Sequence, residues 1–424
     1  MIDRSSPMQV IDMAESQTSQ AAAPAFSFES IFSPEIIADP YPMYRQLREN
    51  SPVLELPDAN LVVLTRYADV QALLRDRRMG HQPFANLTPE EREAHLKNPA
   101  VANLAQTMLL KNPPDHTRLR GLVVKAFDAR RVTAMRERIR AIAHELIDGF
   151  VARGSGDLRA LFNHPLPVIV ICDMLGIPEA DRQEFVKGTR ISGRLIDPSP
   201  MTEEELAQAN ASTEESQAYF AALCEERRRH PEDDLITALV QSETEHGRLS
   251  REELTSNIAL LFAAGHETTV NLLGNALLAL YRNPDQLDTL KARPELMPGA
   301  VEEFLRYDSS VQLTARHALE PADIAGVELP PGRSVIAMLG AANRDPAMFD
   351  DPERLDVTRE KVKPMSFGGG IHLCLGAQLA RLEAAEALTA LFERLPDLAL
   401  ENVESPEWKQ TITLRGVARL PARW

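Results

Sequence analysis

Apolar residues return every three or four positions along most of the chain. Val132, Met135, Ile139, Ile142, Leu146 and Phe150 form one such stripe, and that spacing predicts an amphipathic helix. Ala, Leu, Glu and Arg fill the intervening positions and add helix propensity. The longest helical segment covers 251–282, opened by Ser250 with Glu253 three residues later as a capping box and closed by Asn283-Pro284. A helix of that length would span roughly 48 Å, enough to cross a whole domain. Its middle reads Ala263-Ala264-Gly265-His266-Glu267-Thr268-Thr269, where the glycine alone costs up to about 1 kcal/mol of helix propensity. A requirement other than helix stability therefore placed these residues there. Short strand patterns lie at 53–56 and 61–65, separated by Pro-Asp-Ala-Asn, and again near 311–317 and 334–338. The expectation is a mainly α (α+β) chain with small sheets.

Across 424 residues no Pro/Gly/Ser-rich linker interrupts 30–420, so 27–424 reads as a single domain. Residues 1–26 are polar and alanine-rich without the apolar core of a signal peptide, and read as a flexible leader. No apolar run approaches the ~18 residues of a membrane span; the expected location is the cytoplasm. A net charge of −16 disfavours a nucleic-acid partner, because phosphate binding needs a basic footprint. Three cysteines without CxxC spacing argue against a disulfide framework and against structural zinc. Cys172, at the end of the apolar run 168–171, and Cys224 are expected to be structural.

The third cysteine carries the chemistry. Phe367-Gly368-Gly369-Gly370-Ile371-His372-Leu373-Cys374-Leu375-Gly376 places one thiol on a glycine-rich loop directly before an amphipathic helix. Glycines permit backbone paths that a Cβ forbids, so a flat macrocycle could lie against the loop. Amides at the helix N-terminus would favour the anionic sulfur. The plainer reading is a glycine turn with a buried cysteine. A dinucleotide loop is disfavoured by the glycine spacing. This string resembles the signature of cytochromes P450, with every fixed position filled. The resemblance implies a helical triangular prism with small β-sheets, with haem b between the long central helix and the loop, and Cys374 as its iron ligand. Phe367, Gly368 and Gly376 belong to the same signature. Met365 and Phe367 would shield the sulfur.

Three more segments match the family in order. Ala264-Gly265-x-Glu267-Thr268-Thr269 is similar to its oxygen-activation motif. Small residues at 264 and 265 would leave room for dioxygen, and the Thr268 hydroxyl would bond a backbone carbonyl and locally open the helix. Thr268 and Glu267 would together deliver protons. Glu303-Phe304-Leu305-Arg306 resembles the E-x-x-R pair that braces the haem's proximal side, with Arg354 expected to supply the second arginine of that network. Asn112-Pro113-Pro114-Asp115-His116-Thr117-Arg118-Leu119-Arg120 resembles the propionate-binding segment, so that His116, Arg120, Arg316 and His372 would hold the propionates. Asn112 stands where an aspartate is common, and Ser310 where many relatives have proline.

The resemblance, running from about Phe26 to the C-terminus, implies a soluble bacterial-type monooxygenase that inserts one atom of O2 into an organic molecule by hydroxylation or epoxidation. Electrons would come from a ferredoxin with its reductase, or from a flavodoxin, docking on a patch for which Lys125, Arg130 and Arg131 are candidates. The intact acid-alcohol pair favours this over a peroxide-driven enzyme or a haem sensor. Expected pocket walls are 80–105, 185–205, Leu260, Leu261, Ala264, 311–314 and Thr411-Ile412-Thr413. They are largely apolar or small and suit a lipophilic substrate. A monomer is expected.

Overall fold

A computed structural model describes residues 28–84, 87–127, 129–182, 194–197, 199, 201–242 and 249–424. The expected leader and much of 185–205 lie outside the described residues. Seven helices matter for the site: α1 (Asp115–Ala126), α2 (Arg136–Phe150), α3 (Pro165–Leu175), α4 (Glu203–Arg229), α5 (Arg251–Arg282), α6 (Met297–Tyr307) and α7 (Ala377–Arg394).

Helix α5 is the central column, with the bounds its pattern predicts. Glu253 N–H donates to Ser250 Oγ at 3.1 Å and Ser250 N–H to Glu253 Oε2 at 2.9 Å, closing the capping box. Arg118 of α1 holds the same glutamate with both terminal guanidinium nitrogens, so the cap also joins two helices. Toward its C-terminus, Leu272, Leu273, Ala276, Leu277, Leu278, Ala279 and Leu280 are all buried. A helix apolar on every side needs neighbours on every side; α3, α4, α6 and α7 pack around it. Each buried leucine contributes about 1.5–3 kcal/mol relative to exposure. The stripe from Val132 to Phe150 divides between a short helix Ala129–Ala134 and α2.

Five strands form the main sheet: β1 (Val53–Leu56), β2 (Leu61–Leu64), β3 (Met79–Gly80), β4 (Leu313–Ala318) and β5 (Ser334–Met338), in the order β1-β2-β5-β4-β3. All pairs are antiparallel except β2 with β5, which run parallel with Leu61 opposite Ser334. Buried on both faces, β2 reads Leu-Val-Val-Leu without alternation. Ser155–Asp157, Ala399–Leu400 and Pro421–Arg423 make a second sheet. Val311 enters an isolated bridge with Leu414 instead of extending β4. Among the described residues no helix is long and apolar enough to cross a membrane.

Candidate active site

The loop before α7 is shaped by its glycines and its carbonyls. Gly370 has φ +65°, and a Cβ there would lie 1.9 Å from the Leu74 carbonyl oxygen, so no other residue fits. Cys374 N–H donates to Phe367 O at 2.9 Å, folding the loop back on itself. Gly376 caps α7, and its N–H reaches the sulfur of the exposed Cys374. Desolvation holds that thiol above its ordinary value, while the Gly376 amide and the guanidiniums of Arg120 and Arg381 act in the opposite direction. Phe367 lies under the Arg381 guanidinium, 4.5 Å from ring centre to charge. Met365 packs in the smaller core around Tyr67 and Phe349.

Beneath the loop sits a fully buried ion pair. Arg306 donates from Nε and Nη2 to the two Glu303 oxygens, each at 2.7 Å, and neither side chain reaches solvent. Its remaining hydrogens go to the carbonyls of Asn343, Pro352 and Arg354. The expected second arginine is corrected here. Arg354 contributes only that carbonyl and is itself exposed; the guanidinium at Glu303 is that of Arg359, with Nε 3.2 Å from Oε2. Arg354 sits in a turn that aims its carbonyl inward and its side chain outward, an outcome of backbone direction that residue type does not reveal. Asn343 then carries the network to the cysteine loop. Its Oδ1 accepts from Met365 N–H at 2.6 Å and its Nδ2 donates to Ser366 Oγ at 2.9 Å, which donates in turn to Leu305 O at 2.6 Å. Neither Asn343 nor Ser366 carries a signal in sequence, since each acts through one geometry at one place.

The four residues expected at the propionates converge. Arg120 donates to Leu373 O at 2.5 Å, linking α1 to the cysteine loop, and the rings of His116 and His372 lie 4.2 Å apart. Arg316 points from β4, buried, bonded to Thr314 Oγ1 and Ala315 O. Burial pushes the Arg316 guanidinium down to about 10. It also pushes His116 to about 4 and His372 to about 3, aided by nearby arginines. His81, unmarked by any motif, joins them with its ring 4.6 Å from that of His372.

On α5, Ala264 is exposed between the half-buried Ala263 and Gly265, so its face borders open space. Thr268 Oγ–H donates to Ala264 O at 2.9 Å as expected, but α5 runs unbroken through it; the carbonyl accepts the hydroxyl on its second lone pair without opening the helix. Gly265 also differs from expectation. A Cβ there would meet Ile171 of α3 at 3.3 Å, so its small size serves helix packing, about 100° around the axis from Ala264. Glu267 is paired with Lys409, whose ammonium also donates to Asn271 Oδ1 at 2.8 Å. Burial acts to raise the Glu267 carboxyl, and the Lys409 charge and hydrogen bond outweigh it, leaving the group below its ordinary value.

Haem fits this donor set. The Nε2 atoms of His81, His116 and His372 are buried and have no protein partner, and Arg316 has no carboxylate among its contacts in the described residues. Such a group calls for an anion with several oxygens, as two propionates supply. The comparisons with known proteins agree. The family profile described as Cytochrome P450 matches residues 43–410. Putative cytochrome P450 133B2 of Xylella fastidiosa is 42% identical over 92% of this chain and 97% of its own. Vitamin D(3) 25-hydroxylase of Pseudonocardia autotrophica is 41% identical over 92% and 95%. The crystal structure of a myxobacterial cytochrome P450, CYP267B1, in complex with myristic acid superposes with a TM-score of 0.85 at 39% identity, covering 94% of this chain and 99% of that one. This chain belongs to the cytochrome P450 family and is a haem b monooxygenase.

Proposed function

We propose that the protein hydroxylates or epoxidises a lipophilic small molecule, with Cys374 as the iron ligand and Thr268 and Glu267 as the proton-delivering pair. Haem, when bound, supplies the activation of dioxygen, and a thiolate ligand favours O–O cleavage. The side chains of this protein position and protonate. His116, Arg120, Arg316 and His372 hold the propionates, and Phe367, Gly368 and Gly376 shape the cradle around the sulfur. Glu303, Arg306 and Arg359 brace the cradle from below. Ala264 would leave space beside the central helix, and the Thr268 hydroxyl, which here donates to Ala264 O, would be the group that holds a proton next to that space. Glu267, ionised beside Lys409, passes protons inward from solvent. The single observation carrying this reading is the convergence of Arg316 with three imidazoles whose Nε2 atoms are buried without a protein partner, beside the loop of one exposed cysteine.

Two relatives support a lipophilic substrate: one is named for 25-hydroxylation of vitamin D(3) and another is solved with myristic acid. Electrons arrive from a ferredoxin with its reductase, or from a flavodoxin, and the protein acts as a cytoplasmic monomer. Of the three cations considered for docking, Lys125 and Arg130 are exposed, while Arg131 is paired with Asp233 at 3.1 Å; the patch therefore rests mainly on the first two.

Titration of the purified ferric protein with a panel of sterols, fatty acids and polyketides, followed at the Soret band, tests the proposal. A shift toward high spin and turnover of the same compound are expected. Purification as a colourless protein, or a Cys374→Ser variant that keeps the thiolate spectrum, would overturn the reading.

A further inference from the structure

His81 follows Gly80, the last residue of β3, and its backbone is gripped by one side chain. His81 N–H donates to Asn112 Oδ1 at 2.8 Å, and Asn112 Nδ2 donates to His81 O at 2.7 Å. Only a carboxamide both accepts and donates in this way; an aspartate at 112 would leave the His81 carbonyl without its donor. Gly80 makes room for the clamp, because a Cβ there would lie 2.3 Å from Asn112 Oδ1. Three residues, at 80, 81 and 112, thus act as one unit that fixes the backbone from which the His81 ring projects.

That ring stands edge-on to His372, at 4.6 Å and 89°, and His372 in turn contacts His116. The Nε2 atoms of all three are buried without a partner. The charged or titratable groups acting on His81 are Arg316, His372, His317 and His116, all cationic or neutral. Among the described residues no set of three or more His, Cys, Asp or Glu is arranged to hold a metal ion, which sets this trio apart from a metal site. What it lacks is an acceptor.

We infer that His81 is a third imidazole donor to the carboxylates at the propionate edge of the haem, set in place by the Asn112 clamp. This rests on the haem reading above and adds to it a binding residue and a positioning residue, Asn112. The clamp also gives a reason for asparagine at 112, since an aspartate would bring negative charge toward the propionates while loosening the ring.

The test is the rate of haem loss from the holoprotein to excess apomyoglobin, measured with ordinary haem and with haem whose propionates are methyl esters. With ordinary haem, His81→Ala and Asn112→Asp should each release it about tenfold faster, the loss expected for one charge-assisted hydrogen bond. His81→Gln, which keeps a side-chain N–H, should fall between them and the parent protein. With esterified haem the parent and the variants should lose it at equal rates. Equal rates with ordinary haem would overturn the inference. So would an acceleration that persists with the ester, which would make His81 a packing residue. The ferrous carbon monoxide spectrum of the parent protein reports separately on the haem-thiolate reading, so failure of that reading shows in a different measurement.

Discussion

Lys409 joins the C-terminal segment to the middle of the central helix through Glu267, and the same ammonium bonds Asn271 one turn further on. The carboxylate is ionised because of this contact, since burial alone would raise it. Lys409→Met should therefore raise the Glu267 pKa and move the acid limb of the turnover profile to higher pH. It should also lower the turnover rate by up to about 100-fold, the lower end of general acid-base contributions. Turnover measured against pH in the two proteins checks this; an unmoved profile refutes the link.

Thr268→Ala leaves haem and substrate binding in place and removes the hydroxyl that faces the open side of α5. Reducing equivalents should then be diverted to hydrogen peroxide. Product formed per electron pair consumed is the measurement, and unchanged coupling would refute the role assigned to Thr268.

Arg359 and Arg354 differ in kind. Arg359→Ala leaves the buried Glu303 with one guanidinium instead of two and should destabilise the fold by about 1–3 kcal/mol. Arg354→Ala keeps the carbonyl that Arg306 uses and should change stability by less than about 0.5 kcal/mol. Arg306→Ala removes both bonds to a fully buried carboxylate, for which about 3–5 kcal/mol is expected. Urea unfolding of the three variants ranks them.

Gly370→Ala places a methyl group against the Leu74 carbonyl at a left-handed backbone position. The cysteine loop must shift, at a cost of order 1–3 kcal/mol. Haem content per protein should fall while far-UV circular dichroism stays near that of the parent.

His164 is pushed down to about 4, first by burial and then by His266 and Arg159. Between pH 6.5 and 4 the unfolded chain binds a proton at this position that the folded protein refuses, so stability falls as pH falls through that window. His164→Asn should flatten the slope. Urea midpoints at several pH values check the sign.

Much of the site was legible in one dimension. Cys374, the Glu303-Arg306 spacing and the bounds of α5 are matters of local chemistry: a capping box, a period of 3.6, a thiol on a glycine loop before a helix. His116, Arg120, Arg316 and His372 could be named by resemblance because their segments match in order. Their convergence, and the burial that leaves the Nε2 atoms of His116 and His372 without protein partners, appear only when α1, β4 and the cysteine loop are brought together.

Residue types and their spacing by themselves determined the helix-rich class, the long central helix, the four short strand segments and the cysteine available to haem. Tertiary structure alone decided that β2 pairs in parallel with β5, that Arg359 and not Arg354 reaches Glu303, that Gly265 serves helix packing, that Lys409 meets Glu267 and that His81 lies against His372. The physical reason is the same in each case. Periodicity and capping depend on neighbours a few residues away, whereas a carbonyl's direction, a missing Cβ's contact or an ion pair across 142 positions depends on how distant segments pack.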